Sequence, residues 1–91
     1  MGCRLPGGDS LSRTLGSPRH RALVDFIIQE RKAAGLTQVQ VAKKLRRYQS
    51  YVTLLETGQR RLDVVEFMEI ADAIGFDAPA AIRWLYKIPK K

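Results

Sequence analysis

Three polar residues, Gln49, Ser50 and Thr53, fall on one face of a short predicted helix, and each side chain can both donate and accept hydrogen bonds. Leu54 is the apolar member of the same face. An amide such as that of Gln49 can pair with the N6 and N7 atoms of adenine, and apolar groups can contact the thymine methyl in the DNA major groove. Taken singly, these residues also suit an ordinary solvent-facing surface. As a group they predict a face that reads base edges.

Basic and polar residues lie around this face and predict contacts with backbone phosphates. The candidates are Thr37, Gln38, Lys43, Arg47, Thr57, Arg60 and Arg61. Contacts of this kind position a protein on DNA without reading its sequence, and the amide groups at helix N-termini can add to them. For Arg60 and Arg61 the alternative is a solvated loop.

The charge of the chain is concentrated in the same region. The 91 residues carry a net charge of +7. Ten of the 16 Lys and Arg residues lie between residues 18 and 61, with only three of the nine Asp and Glu residues. Such a balance favours a polyanionic partner, although an acidic membrane surface is an alternative from charge alone. A single cysteine, Cys3, predicts neither a disulfide nor a metal cluster, and no apolar run is long enough to span a bilayer.

Hydrophobic spacing predicts five helices joined by short turns, with no strand. Their expected ranges are 19–34, 37–45, 49–57, 63–74 and 77–88. The fourth helix is so apolar that we expect it to be buried on more than one side. In the last helix, Trp84 and Tyr86 either close the core or form a dimer surface, and a surface position is expected for His20. Residues 1–17 show no hydrophobic period and predict a flexible tail before a domain at 18–91.

The segment from Arg31 to Gly75 resembles the Xre/Cro/C1-type helix-turn-helix of bacterial and phage repressors. The matching residues are Arg31, Gly35, Leu36, Thr37, Gln38, Val41, Ala42, Leu45, Gln49, Ser50, Val52, Leu55, Glu56, Gly58, Arg60, Arg61, Ile70, Ala71 and Gly75. The resemblance implies an all-α, five-helix, lambda-repressor-like DNA-binding domain. It also implies that Gln38 holds a phosphate, that the face carrying Gln49 reads bases, and that Arg31 and Glu56 form a structural ion pair.

The turn before the recognition helix departs from the family pattern. Arg46 stands where relatives usually have glycine, and a left-handed backbone at that residue would cost roughly 1–2 kcal/mol. Tyr48 stands where Ser, Thr or Pro usually precedes the helix, and its side chain cannot cap the helix as Ser does. Leu54 replaces a Lys or Arg that many relatives carry.

The resemblance implies a sequence-specific transcriptional regulator, expected to be a repressor, that binds double-stranded DNA as a homodimer. The alternative is an antitoxin-like protein-interaction module, in which the apolar last helix binds a toxin and DNA binding is secondary. An enzyme is not expected, because no nucleophile–histidine pair or glycine-rich phosphate loop is present. We expect no cofactor, no metal, no membrane contact and no ligand-sensing domain, in a cytoplasmic protein of bacterial or phage origin.

Overall fold

The computed structural model describes residues 17–89, which form five α-helices. They are α1 (Pro18–Ala33), α2 (Gln38–Leu45), α3 (Gln49–Glu56), α4 (Val64–Ile74) and α5 (Ala78–Leu85). The described residues contain no strand, so the prediction of an all-α, five-helix fold is confirmed. The predicted tail lies outside the described residues except for Ser17, whose side chain caps α1. No helix in the described part of the chain is long and apolar enough to cross a bilayer.

Short polar side chains set the starts of four helices. The capping residues are Ser17, Thr37, Asp63 and Asp77, and each accepts a hydrogen bond from the backbone N–H three residues later. Thr37 and Asp63 form complete capping boxes, because Gln40 and Glu66 also accept a hydrogen bond from the backbone N–H of the capping residue. These caps satisfy amide groups that have no partner inside the helix. They also confirm the two capping boxes that the sequence predicts.

The core forms where one face of each helix turns inward. Its buried members are Ile27, Val41, Ala42, Tyr51, Val52, Leu55, Phe67, Ile70 and Ala81. Ala42 is fully enclosed, and its small side chain lets α3 pack closely against α2. Helix α2 also packs against α4, and α1 packs against α3 and α5. Helix α3 is therefore supported from two sides and presents its remaining face to solvent.

Helix α4 buries one face only, so the expectation of burial on more than one side is wrong. Phe67 and Ile70 are buried, whereas Val64, Val65 and Met68 are 66%, 63% and 53% exposed. The reason is that α4 packs against α2 and α5, and no described element covers the face that carries Val64, Val65 and Met68.

The last helix is held by aromatic packing and by one arginine. The Trp84 ring lies 5.6 Å from that of Phe26, so Trp84 partly closes the core, while Tyr86 is largely exposed. Arg19 Nε donates to the Ile88 carbonyl at 2.9 Å, and Arg19 Nη2 donates to that of Tyr86 at 3.3 Å. The start of α1 and the segment after α5 are thus joined directly.

Candidate nucleic-acid interface

Helix α3 has one accessible side and one buried side. Gln49 and Ser50 are exposed, Leu54 is 41% exposed and Thr53 is half-buried. The opposite side is buried and consists of Tyr51, Val52 and Leu55. Burial of these three residues orients α3, because any rotation about its axis would expose part of the core. The structure therefore brings the four predicted base-contacting residues together on the accessible side of α3.

The turn between α2 and α3 is built on Arg46. Its φ of 58° and ψ of 45° lie in the left-handed region, and it is the only non-glycine residue with positive φ in the described part of the chain. This conformation lets the Arg47 amide donate to the Ala42 carbonyl at 2.9 Å, which closes the end of α2. The usual role of glycine is thus taken by an arginine, at a cost of roughly 1–2 kcal/mol.

Helix α3 begins at Gln49, and Tyr48, the residue before it, provides no side-chain cap. The Tyr48 backbone is extended, its side chain makes no capping hydrogen bond, and its ring is 86% exposed. An uncapped start leaves amide donors of the first turn open to water or to an anion. The N-terminal end of α3 therefore carries an exposed aromatic ring and backbone N–H groups that are free to donate.

The far end of α3 is held by the ion pair between Arg31 and Glu56. Arg31 Nε lies 2.7 Å from Glu56 Oε2, and Nη2 donates to Oε1 at 3.0 Å. Arg31 Nη1 also donates to the Leu36 carbonyl at 2.9 Å. The two side chains are only 12% and 6% exposed, so the pair is largely removed from solvent screening. It joins α1, the loop before α2 and the end of α3.

Gln38 connects this ion pair to the exposed face of α3. Its Nε2 donates to Glu56 Oε1 at 2.9 Å, and its Oε1 accepts a hydrogen bond from Thr53 Oγ1 at 3.0 Å. Gln49 Nε2 lies at 3.5 Å from the same oxygen. Since an amide nitrogen carries two hydrogens, Gln38 retains one donor beyond the bond to Glu56. The carboxylate of Glu56 thus orients Gln38, and Gln38 in turn orients two of the predicted base-contacting side chains.

A second charged cluster lies on the other side of α3, around the buried Glu66. Arg60 Nη2 is 2.8 Å from Glu66 Oε2, and Arg47 Nη2 is 4.0 Å from the same oxygen. Both guanidinium groups lie over the Tyr51 ring, at 4.5 Å for Arg47 and 4.8 Å for Arg60. Sequence reasoning identified Glu66 only as a capping residue. In the described part of the chain it is the only charged residue that is buried, and the sequence offers no signal for that burial.

The surroundings of Tyr51 keep its hydroxyl protonated. Burial raises the pKa of Tyr51, and the nearby Glu66 carboxylate raises it further against the opposing effect of Arg47. Tyr51 is therefore a neutral ring at physiological pH. Its polarised face attracts the two guanidinium groups.

Comparison with known proteins agrees with this geometry. Residues 11–85 match a family model described as helix-turn-helix domain. A solved structure of an XRE-family like protein from Pseudomonas syringae pv. tomato str. DC3000 is 43% identical, with a TM-score of 0.73. The match covers 76% of this chain and 84% of that chain. The chain belongs to the Xre-type helix-turn-helix family. As a member of this family it is a DNA-binding regulator, and its partner is DNA.

A search of curated proteins gives no match to this Xre-type chain. The family consists typically of DNA-binding regulators without enzymatic activity. In the part of the chain that the structure describes, no group of three His, Cys, Asp or Glu residues could hold a metal ion.

The predicted phosphate contacts of the Xre-type domain differ in how accessible they are. Five are exposed, namely Thr37, Lys43, Arg47, Thr57 and Arg61. Gln38 and Arg60 are half-buried and already bonded to carboxylates. Arg60 Nη1 donates in addition to the Arg61 carbonyl at 2.8 Å. Arg60 thus shapes the loop after α3, while Arg61 projects from it.

His20 is more enclosed than the expected surface position. Its Nε2 atom is shielded from solvent and has no hydrogen-bond partner among the described residues. Burial lowers the pKa of His20, and the positive charge of Arg61 lowers it further. The imidazole is therefore partly enclosed and close enough to Arg61 to feel its charge. The sequence offers no signal for this proximity, because Arg61 lies 41 positions after His20.

Proposed function

We propose that this protein is a sequence-specific transcriptional regulator that acts as a repressor and inserts α3 into the DNA major groove. The observation that carries the proposal is the accessible face of α3. It presents short polar side chains at the N-terminal end of a helix whose opposite face is locked in the core. A surface that only had to remain soluble would not need Gln49 and Thr53 to be oriented by a buried carboxylate through Gln38.

Base recognition is assigned to four residues with different chemistry. Gln49 can donate to and accept from adenine, Ser50 and Thr53 can contact several bases, and Leu54 suits a thymine methyl group. The bonds to Gln38 oxygen lower the conformational freedom of Gln49 and Thr53 before DNA arrives. Such preorganisation decreases the entropy lost on binding.

Phosphate contacts are assigned to residues on both sides of this face. Thr37, Gln38 and Lys43 lie at or along α2, whereas Arg47, Thr57 and Arg61 lie before and after α3. The remaining Nε2 hydrogen of Gln38 is the donor available to a phosphate. Arg60 is assigned a positioning role, because its guanidinium is bonded to Glu66. These contacts hold the domain on DNA while α3 reads bases.

A homodimer on a two-fold symmetric site completes the proposal. Two copies of α3 would enter successive major grooves about 34 Å apart, on half-sites separated by one helical turn. The exposed side chains of Val64, Val65 and Met68 lie on one face of α4 and support a protein contact there. Burial of such an exposed apolar surface by a partner protein would lower the free energy of the complex.

Selection of bound sites from a pool of random duplex DNA tests the function. The expected result is one preferred sequence with two-fold symmetry and half-site centres about 10 base pairs apart. Recovery of unrelated sequences at equal affinity would contradict a sequence-specific regulator. Recovery of an asymmetric single site would contradict the homodimer alone.

An antitoxin-like interaction module is the second candidate. The exposed side chains of Ile82, Trp84 and Tyr86 on or just after α5 favour it, because a toxin could bind this apolar surface. In that case replacing Trp84 or Tyr86 would abolish toxin capture and leave DNA selection unchanged. Loss of DNA selection with those same replacements would argue against separate surfaces.

A further inference from the structure

An open groove of about 640 Å³ borders α3 on the side opposite Gln38. It lies between the turn before α3 and the loop after it, and its lining includes Arg46, Arg47, Ser50, Tyr51 and Arg60. No acidic side chain contributes to this lining, all of which belongs to the described residues. Three guanidinium groups around one cavity make its potential positive and suit it to an anion.

Arg47 and Arg60, the two arginines beside Tyr51, differ in the hydrogen bonds that their guanidinium groups form. Arg60 forms hydrogen bonds with Glu66 and with the Arg61 carbonyl, so its donors are largely used. Arg47 lies 4.0 Å from Glu66, beyond hydrogen-bond distance, and its side chain is 40% exposed. Arg60 is therefore the main partner of the buried carboxylate. The two arginines together carry one positive charge more than Glu66 neutralises, and the donors of the more exposed Arg47 form no hydrogen bond to it.

The Tyr51 ring keeps the Arg47 guanidinium in the groove without using its donors. The guanidinium carbon lies 4.5 Å from the ring centroid, a distance at which a cation is attracted by the ring face. This attraction does not consume N–H groups. A planar guanidinium with unused donors can bind two oxygens of a phosphate at once.

We propose that this groove is a phosphate-binding site in which Arg47, supported by Tyr51 and joined by Arg46, holds one backbone phosphate of the bound DNA. Arg60 is the positioning residue of the site, because it forms an ion pair with Glu66 and lies over the same Tyr51 ring as Arg47. The inference rests on the proposed insertion of α3 into the major groove of DNA. It specifies how a phosphate at one edge of that DNA groove is bound by the protein.

The salt dependence of binding to a random 20-base-pair duplex tests the assignment. The slope of log K against log salt changes by about 0.9 for each neutralised phosphate. Arg47→Gln is expected to make the slope shallower by about 0.9. Arg60→Gln leaves the Glu66 carboxylate to pair with Arg47, which lies 4.0 Å away, and is therefore expected to make the slope shallower as well. Arg47→Lys retains the charge and should restore the wild-type slope, and Arg83→Gln on α5 is the control distant from the groove.

The outcomes separate this inference from the function on which it rests. An Arg47→Gln slope equal to wild type, in a variant whose circular dichroism is unchanged, would overturn the groove assignment while DNA binding stands. An unchanged slope for Arg60→Gln would overturn the positioning role of Arg60. Absence of any DNA binding by the wild-type protein would instead remove the proposed function.

Single methylphosphonate substitutions in the selected DNA site identify the phosphate. Substitution at one phosphate beside the recognised bases should weaken binding by the wild-type protein about tenfold. The same substitution should have no effect on binding by Arg47→Gln, because the protein variant and the modified DNA each remove the same contact. Equal sensitivity of both proteins at every position would contradict the proposal. Titration with inorganic phosphate alone is the second arm. Saturable binding at submillimolar concentration would identify a free anion as the ligand and overturn the assignment to DNA.

Discussion

Arg31 and Glu56 lie 25 positions apart in the chain and form a two-bond ion pair that is almost completely shielded from solvent. The pair does more than join α1 to α3, because Glu56 also accepts a hydrogen bond from Gln38. Through Gln38 it reaches Thr53 and Gln49 on the exposed face. A structural ion pair and a recognition surface are thus parts of one hydrogen-bonded network.

Replacing Arg31 with Met is expected to destabilise the fold by about 3–5 kcal/mol, because Glu56 would remain as a buried charge without a partner. Glu56→Gln leaves the Arg31 guanidinium without a charged partner but should cost less, because the amide oxygen and the Leu36 carbonyl still accept hydrogen bonds from it. Urea unfolding of both single variants and of the double variant measures the coupling between the two positions. Additive losses would mean that the two side chains do not act as a pair.

Replacing Arg46 with Gly is expected to stabilise the domain by about 0.5–1 kcal/mol. The change removes a left-handed strain of roughly 1–2 kcal/mol and adds a backbone entropy cost of roughly 0.5–1 kcal/mol. Lys44→Gly in α2 is the matched control and should destabilise by up to about 1 kcal/mol. A loss of stability in the Arg46→Gly variant would show that the arginine side chain contributes more to the turn than its backbone costs.

His20 is expected to make the fold less stable at mildly acidic pH. Because burial and Arg61 lower its pKa in the folded state, the unfolded chain takes up the proton first as pH falls through about 6.5. Stability contributed by the neutral ring is therefore complete above that pH and declines below it, down to the lowered folded pKa. Urea midpoints of wild type and His20→Gln at about pH 7.5 and 5.5 provide the measurement. Equal pH dependence in the two proteins would exclude His20 as the cause.

The exposed face of α4 is expected to be the homodimer contact. Met68→Glu places a charge in the centre of this apolar face and should convert a dimer to a monomer in sedimentation equilibrium, with little change in unfolding midpoint. Tyr86→Ser, beyond the end of α5, is the control and should leave the dimer intact. Dissociation by Tyr86→Ser but not by Met68→Glu would place the contact on the last helix instead.

Local sequence signals carried most of the fold. Thr37, Asp63 and Asp77 predict helix starts, because their side-chain oxygens can accept from backbone N–H groups of the first turn. Glycines after three of the helices predict the helix ends. The apolar period also predicts which side of α3 is buried. Such signals succeed because the partners involved lie within four residues of each other.

Long-range contacts explain what the sequence did not predict. The high apolar content of α4 indicated burial on two sides, but the number of elements available to cover it depends on the whole fold. The positions of His20 beside Arg61, and of Arg47 and Arg60 over Tyr51, likewise depend on how distant segments pack. The resemblance to a family also did not indicate that Arg60 forms an ion pair with Glu66.

The most direct test of base reading by α3 is the affinity of Gln49→Ala for the selected site and for random DNA. We expect a loss of about 1–3 kcal/mol on the selected site, with random DNA bound as before and preference relaxed at one base position. Arg61→Ala is the companion variant and should weaken both kinds of DNA alike. Unchanged affinity of Gln49→Ala for both DNAs would contradict the assignment of this face to base recognition.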